Sequence, residues 1–157
     1  MSDSDPRDQF LLQDEPGILP DAVPISDAAE RLSLSASTLR NYESIGLTVF
    51  PRDRRGYRWV SGAEIARIAS LREYMDVNKL NLKSLVRLCA LLPCWQIHDC
   101  SGEERNKCAF VNSAANPCWT HHRDAGGCLS QNCLECTIYK QPAFWIEETR
   151  AMYRNGS

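Results

Sequence analysis

The placement of the cysteines limits what this chain can fold into more than any other feature. All eight lie between residues 89 and 136, and none precedes them in a chain of 157 residues. The first nine residues are acidic, and no apolar run approaches the roughly 18 to 20 residues that span a bilayer, so we expect a cytoplasmic protein without a signal peptide or a membrane partner. Because cytosolic thiols stay reduced, this density of cysteines favours metal or cluster ligation over disulfides.

Charge is distributed unevenly along the chain. Residues 1–30 carry one Lys or Arg against eight Asp and Glu, residues 31–87 carry eleven against five, and residues 88–157 carry six against seven. A basic block inside a chain whose net charge is −2 indicates a polyanionic partner. The composition, 43% hydrophobic and 24% charged, is that of a globular protein and excludes a wholly disordered, collagenous or coiled-coil chain.

Residues 25–44 have the pattern of two short helices joined by a tight turn. Ser26 is a candidate N-cap of the first helix. Ser35 is the candidate N-cap of the second, which is predicted from Ala36 to Ser44 and ends before Gly46. Two such helices are typical of a helix-turn-helix unit.

A β-hairpin is predicted next. Thr48–Phe50 and Tyr57–Val60 have strand composition and flank residues 51–56, a turn that carries three arginines. Residues 61–64 form a capping box that opens a further helix, and the helical spacing of apolar residues predicts another from Leu82 to Leu92.

These patterns divide the chain into four parts. We predict that residues 1–24 form a flexible acidic tail. This tail is either a solvated leader or a segment that binds the basic block in competition with the polyanionic partner. We predict that residues 25–93 form a winged helix-turn-helix domain that binds DNA. Residues 94–140 are predicted to form an irregular cysteine-rich domain that binds a metal or cluster, and residues 141–157 a C-terminal helix and tail. The expected fold class is therefore mainly α, with a small β-hairpin wing.

Four short sequence motifs follow one another in the first half of the chain: ISDAA at 25–29, STLRNYE at 37–43, IGL at 45–47 and GYR at 56–58. Through them, residues 25–92 resemble the N-terminal domain of the MerR family of transcription regulators. The resemblance implies double-stranded DNA as the partner and RNA polymerase as a further one.

The predicted DNA contacts lie on the second helix and the hairpin. A recognition helix offers its first side chains to the major groove, which favours Ser37 and Thr38, and the arginines of a wing neutralise phosphates, which favours Arg54, Arg55 and Arg58. The resemblance further implies that Arg40, Tyr42, Tyr57 and Arg58 touch DNA. Two alternatives stay open: Tyr42, like Leu39, is a core residue, and Arg52 and Arg54 belong to a solvated turn.

The chain departs from the MerR pattern after this domain. Family members usually continue into a much longer helix that pairs antiparallel in a dimer, whereas here Pro93 and Cys94 follow at once. For a homodimer the best available surface is the predicted C-terminal helix, with Trp145, Thr149, Met152 and Tyr153 on one face.

The cysteine-rich part has a pattern of its own. Seven cysteines follow Cys89: Cys94, Cys100, Cys108, Cys118, Cys128, Cys133 and Cys136. Trp95 and Trp119 directly follow two of them, and Tyr139-Lys140 closes the pattern. From Cys94 to Lys140 the sequence resembles the two-CW domain, a small seven-cysteine module of signalling and regulatory proteins, and this resemblance leaves the ligand chemistry open.

Thiolates suit either zinc or an iron–sulfur cluster. Structural zinc modules usually take their ligands as two close pairs, and only Cys133 and Cys136 form one here, whereas a [4Fe–4S] cluster accepts four irregularly spaced thiolates. We therefore expect an iron–sulfur cluster held by four of the seven cysteines and sheltered by Trp95 and Trp119, with zinc as the alternative. Cys89 is expected in the core, and the secondary ligand candidates are His98, His121 and His122.

Two functions follow from these patterns. The first is a DNA-binding transcription regulator whose cysteine-rich domain binds an iron–sulfur cluster and senses redox state, oxygen or nitric oxide. The second is a DNA-binding protein with a structural zinc-stapled module that recruits a protein partner. A redox-active thiol protein using Cys133 and Cys136 lacks the βαβ context of such motifs. No Ser/His/Asp or paired-carboxylate arrangement stands out in the sequence, so we expect no enzyme.

Overall fold

The structure, a computed structural model, is mainly helical and contains a small antiparallel two-stranded sheet. It describes residues 18–97, 116–121 and 136–156, together with the single residues 103 and 106. These residues form two compact units. The first consists of residues 18–44 and Thr48–Ser70, and the second of Ile45–Leu47 and the described residues from Leu71 onward. The mainly helical class with a small sheet is confirmed.

The first unit begins with strand β1 (Val23–Pro24), helix α1 (Ile25–Arg31) and helix α2 (Ala36–Ser44). Pro24, rather than Ser26, precedes α1 as its N-cap residue. The turn between the helices passes through Ser33, whose φ is 54°, and α1 packs on α2. The side chain of Ser35 accepts a hydrogen bond from the Thr38 amide at 3.0 Å, so this serine caps α2 as predicted.

Strand β2 (Trp59–Val60) pairs antiparallel with β1, in the register Val23–Val60 and Pro24–Trp59. On its other side the chain folds back as a hairpin, which we call the wing (residues 51–59). Its ladder consists of a bridge between Arg52 and Arg58, a bond from the Trp59 amide to the Pro51 carbonyl (2.9 Å) and one from the Asp53 amide to the Tyr57 carbonyl (3.0 Å).

The predicted first strand, Thr48–Phe50, has no strand pairing. Thr48 and Phe50 are instead buried, at 1% and 2% exposure. The Thr48 hydroxyl donates to the Glu64 carboxylate, and Arg67 donates to the same carboxylate at 3.2 Å. Tertiary burial and this polar contact hold the segment, so the hairpin ladder begins closer to the tip than strand propensity suggests.

Residues 18–24, which the sequence assigned to the acidic tail, are part of the first unit. Ile18 is buried against Trp59, with Ala22 packed beside them. The Asp21 carboxylate accepts the Gly62 amide at 3.0 Å, at the start of helix α3 (Gly62–Asn78). The acidic side chain thus satisfies an N–H group that a helix start leaves unpaired. Residues 1–17 lie outside the described part of the chain.

The core of the first unit is apolar and well buried. Its fully buried side chains come from α1, α2, β2 and the N-terminal part of α3: Ala28, Leu39, Val60 and Ile68. Ser61 accepts the Glu64 amide at 3.1 Å, so the serine of the predicted capping box does cap α3. The glutamate of that box is engaged with Thr48 and Arg67.

The second unit contains the C-terminal part of α3 and five further helices among the described residues. These are α4 (Leu82–Ala90), α5 (Cys94–Ile97), α6 (Cys118–His121), α7 (Thr137–Lys140) and α8 (Pro142–Asn155). Asn81 caps α4 by accepting the Ser84 amide at 2.9 Å. Helix α8 packs on α4 and α7, which confirms the predicted C-terminal helix. Within the described residues, no helix has both the length and the apolar character needed to cross a membrane.

Candidate nucleic-acid interface

Helix α2 has one buried and one exposed face. Leu39, Tyr42 and Glu43 are buried, whereas Ser37 and Arg40 are exposed. Thr38 is half-buried, and its hydroxyl lies 2.9 Å from that of Ser35. The exposed face therefore offers one cation and small polar groups, which is the chemistry that contacts phosphates and base edges.

Tyr42 does not lie on that exposed face. The residue is 8% exposed and belongs to the core, as does the fully buried Leu39 in the same helix. Of the two interpretations that the sequence left open, the structure supports the core position. The ring of Tyr42 therefore lies on the buried face of α2, apart from the exposed face that carries Ser37 and Arg40.

The wing is organised around Asp53. One carboxylate oxygen accepts the amides of Arg55 (2.9 Å) and Tyr57 (3.0 Å), and the other accepts the indole N–H of Trp59 at 3.1 Å. Gly56 completes the turn with a φ of 86°, a conformation that glycine adopts without steric cost. The tip is therefore a preformed turn whose shape is set by one acidic side chain.

The electrostatics of Asp53 agree with this role. Burial opposes ionisation of the carboxyl group, but the hydrogen bonds from Trp59, Tyr57 and Arg55 outweigh it and hold the pKa of Asp53 below its ordinary value of 3.8. The Arg55 guanidinium lies 3.5 Å from the same carboxylate. Asp53 is thus ionised at neutral pH, and the wing keeps a fixed negative charge beneath its exposed cations.

The predicted contact residues of the tip are exposed. Arg54, Arg55 and Tyr57 all lie at the surface, and Tyr57 is 61% exposed. The Arg55 guanidinium stacks over the Tyr57 ring, 5.1 Å from its centroid. Such stacking restrains a cation without burying it, so its charge stays accessible to a polyanion.

Arg58 has a different environment from the other predicted contacts. Its Nε donates to Oε2 of Glu43 at 2.6 Å, and its side chain is only 24% exposed. Arg52 lies 3.6 Å from the same oxygen. Glu43 therefore joins the buried face of α2 to both strands of the wing.

Sequence reasoning missed Glu43 and Asp53 as residues that shape this surface. Asp53 had a detectable signal, since an Asp three residues before a Gly in an arginine-rich turn is typical of a side chain that accepts turn amides. Glu43 had only a weak one: it is an acidic residue in a basic block, on the face of α2 that periodicity assigns to the interior.

Three of the seven predicted metal ligands lie within the described residues, and they share a local setting. Cys94 and Cys118 are the first residues of α5 and α6, Cys136 directly precedes α7, and all three are partly exposed. Across residues 18–97, 116–121 and 136–156, no three His, Cys, Asp or Glu side chains lie together as a metal site. Cys100, Cys108, Cys128 and Cys133 lie outside the described part, as do His98 and His122.

Two further residues considered with the cysteine-rich part, Cys89 and Trp119, are buried. Cys89 is 2% exposed in α4, as expected for a core residue. Trp119 is 1% exposed, and its ring packs edge-on against Tyr139 with the centroids 5.3 Å apart. The side chains of Trp95 and His121 lie outside the described atoms.

The C-terminal helix turns a different face outward from the one predicted for dimerisation. Trp145 is half-buried and its indole N–H donates to the Thr137 hydroxyl at 3.2 Å, while the Thr149 hydroxyl oxygen is buried. Phe144, Met152 and Tyr153 are the exposed large apolar residues of α8. Of the four residues predicted on one face, Met152 and Tyr153 are thus exposed, whereas Trp145 and Thr149 are partly buried.

Comparison with known proteins identifies one segment. Residues 24–60, which include α1, α2, the wing and β2, match the sequence model of a protein family, that of the MerR family regulatory proteins. No curated protein and no solved structure matches the chain. The match supports a DNA-binding transcription regulator and coincides with the part of the chain that carries the exposed α2 face and the preformed cationic tip.

Proposed function

We propose that this protein is a transcription regulator that reads duplex DNA with α2 and the wing. The observation that carries this proposal is the preformed wing tip, where Asp53 sets the turn that exposes Arg54, Arg55 and Tyr57 within the MerR-matched segment. A turn already folded before binding loses little conformational entropy on the phosphate backbone.

In this mechanism α2 and the wing have separate tasks. Ser37, Thr38 and Arg40 lie at or beside the exposed face of α2 and meet the major groove, whereas the arginines of the tip neutralise phosphates beside it. Arg58 acts mainly through Glu43, by keeping the wing in register with α2, and adds positive charge to the surface.

The test of DNA binding is selection from a random duplex pool with the full chain, followed by titration of the selected duplex at several salt concentrations. We expect an enriched sequence and a linear fall of log K with log salt. The matched control is Arg150→Ala, which removes an exposed arginine of α8 (65% exposed side chain) and leaves the slope unchanged. A chain that enriches no sequence contradicts the proposal.

For the cysteine-rich part we propose a thiolate-ligated centre, an iron–sulfur cluster or alternatively zinc, whose state changes the affinity for DNA. The donor set supports it: seven cysteines occur within 43 residues, and Cys94, Cys118 and Cys136 are partly exposed at helix starts. The bound group would supply a charge that depends on oxidation or ligand loss. Such coupling is typically about 5- to 150-fold in affinity.

Metal analysis of anaerobically purified protein separates these alternatives. Iron with inorganic sulfide and a broad visible absorption band supports the cluster and the sensing role. Zinc in a colourless protein favours the structural module that recruits a protein partner. A metal-free protein contradicts both.

The assembly we propose is a homodimer in the cytoplasm that acts on RNA polymerase at a promoter. Met152 and Tyr153, exposed apolar side chains near the end of α8, support this contact with a second copy. Sedimentation of wild type and of Met152→Lys tests the dimer, and transcription with purified polymerase tests the promoter role. Monomeric wild-type protein contradicts the proposed dimer.

A further inference from the structure

The chain that follows the recognition helix α2 is held by a tryptophan of the cysteine-rich part. The indole N–H of Trp119 donates to the carbonyl oxygen of Gly46 at 2.8 Å. Gly46 lies two residues beyond the end of α2, and both it and Trp119 are buried. A buried carbonyl that receives such a bond is costly to leave unsatisfied.

Gly46 fits a narrow socket. Its φ is 91°, and a Cβ atom at this position would lie 2.7 Å from Cγ2 of Thr120 and 3.8 Å from Cδ of Pro117. The Thr120 hydroxyl donates to the Pro117 carbonyl at 2.7 Å, which holds the wall of the socket in place. Glycine is required here twice, by the left-handed backbone and by the close approach of Thr120.

The socket is supported from within its own unit. Tyr139, which is 2% exposed, packs edge-on against Trp119. Ile45–Leu47 belong to the same compact unit as Trp119 and Tyr139, although they directly follow α2 in the chain. Leu47 is fully buried. The end of α2 is therefore tethered by covalent continuity to a segment that the cysteine-rich part fixes.

We propose that Trp119 is a positioning residue for DNA recognition, which sets the C-terminal end of α2 by holding the carbonyl of Gly46. This inference rests on the proposed DNA-binding function and adds a residue of the cysteine-rich part to it. Trp119 touches no DNA in this proposal.

The test uses the full chain and the duplex selected by the wild type. Trp119→Phe keeps an aromatic ring and removes the N–H donor. We expect the variant to bind the selected duplex about tenfold more weakly and a scrambled duplex almost as well as the wild type does. The arginines that contact phosphates keep their charges, whereas the side chains of α2 that read the bases shift. We also expect faster amide exchange over residues 44–47, a local effect that a general loss of stability would not confine to this segment.

The matched control is Trp145→Phe, which removes an indole N–H that donates to Thr137 in the same unit. It should leave both the affinity ratio of the two duplexes and the exchange at 44–47 unchanged. Wild-type affinity and exchange in Trp119→Phe would overturn the proposal. A wild type that selects no sequence overturns the DNA-binding function itself, and the positioning role with it.

A second pair of variants tests the same contact if Trp119→Phe fails to fold. Gly46→Ala introduces the Cβ that meets Thr120, and Thr120→Ser removes the methyl group concerned while keeping the hydroxyl that bonds Pro117. We expect Gly46→Ala to weaken specific binding and the double variant to recover part of the loss. Unchanged binding by Gly46→Ala overturns the proposal.

Discussion

The guanidinium of Arg58 and the carboxylate of Glu43 form an ion pair, with Nε and Oε2 2.6 Å apart. Glu43 lies on the buried face of α2 and Arg58 in the returning strand of the wing, so the pair connects the two elements that are proposed to contact DNA. The Glu43 side chain is 3% exposed. A charge buried to this extent is stable only when paired, so the wing and α2 keep one relative arrangement.

We expect Glu43→Gln to lower the free energy of unfolding by about 1–3 kcal/mol, because it leaves Arg58 and Arg52 without the carboxylate that they share. Urea denaturation measures the change. Glu73→Gln, at an exposed position of α3, is the control and should stay within about 0.5 kcal/mol of the wild type. Equal effects of the two variants would contradict the buried ion pair.

Arg40→Ala and Arg58→Ala should differ although both remove one cation. Arg40 is exposed, so its loss should weaken DNA binding and reduce the salt slope of log K by about one, with little change in stability. Arg58→Ala should also lower the free energy of unfolding, because the buried Glu43 carboxylate then loses the guanidinium that lies 2.6 Å from it. Titrations and urea denaturation of both variants check this. If Arg58→Ala is as stable as Arg40→Ala, the positioning role of Arg58 is wrong.

Asp53→Asn should loosen the wing tip. An asparagine oxygen still accepts the amides of Arg55 and Tyr57, but its NH₂ group then faces the Trp59 N–H. Because the folded-state pKa of Asp53 is lowered, its contribution to stability is full above 3.8 and is lost as the pH falls below 3.8 through the lowered value. We expect a deficit of about 1 kcal/mol at neutral pH that shrinks in acid. A deficit independent of pH in urea denaturation would refute the assignment.

Tyr74 makes the second unit sensitive to alkali. Burial, and next the Glu147 carboxylate that accepts its hydroxyl at 2.8 Å, raise the pKa of Tyr74 from 10.0 to about 12. A group with a raised folded-state pKa contributes stability that is full below 10.0 and is lost as the pH rises toward 12. Tyr74→Phe should therefore remove part of the pH dependence of unfolding in this range. Tyr153→Phe, at a residue that is 83% exposed, is the control and should leave the pH dependence of unfolding unchanged.

Metal loading should depend on the cysteines of the predicted pattern and not on Cys89. We expect Cys133→Ser and Cys136→Ser to deplete the bound metal, because two thiolates separated by two residues chelate one ion readily. Cys89→Ala should retain the metal, since Cys89 is buried in α4. Elemental analysis after anaerobic purification measures the content. Full loading of both serine variants would show that other thiols are the ligands.

The first half of the fold was largely predictable because its signals are local. The serine cap of α2, the glycine that follows this helix and the arginine-rich turn of the wing are determined by neighbouring residues, and each has the predicted place in the structure. The predictions of a strand at Thr48–Phe50 and of an outward-facing Trp145 were wrong for one reason. Strand propensity and helical periodicity describe one strand or one helix by itself. Burial and side-chain contacts depend on a second element of the fold: Thr48 bonds Glu64 of α3, and Trp145 bonds Thr137 of α7.

By itself, the sequence determined a helix-turn-helix with a basic wing and a thiol-rich second part, since residue chemistry and short-range spacing suffice for both. Only the tertiary structure decided that Glu43 pairs with Arg58, 15 positions away, and that Trp119 bonds Gly46, 73 positions away. No sequence periodicity extends over such separations. The physical reason is that a buried carboxylate or carbonyl must find a donor wherever the folded chain brings one, and that donor is selected by packing and not by its position in the sequence.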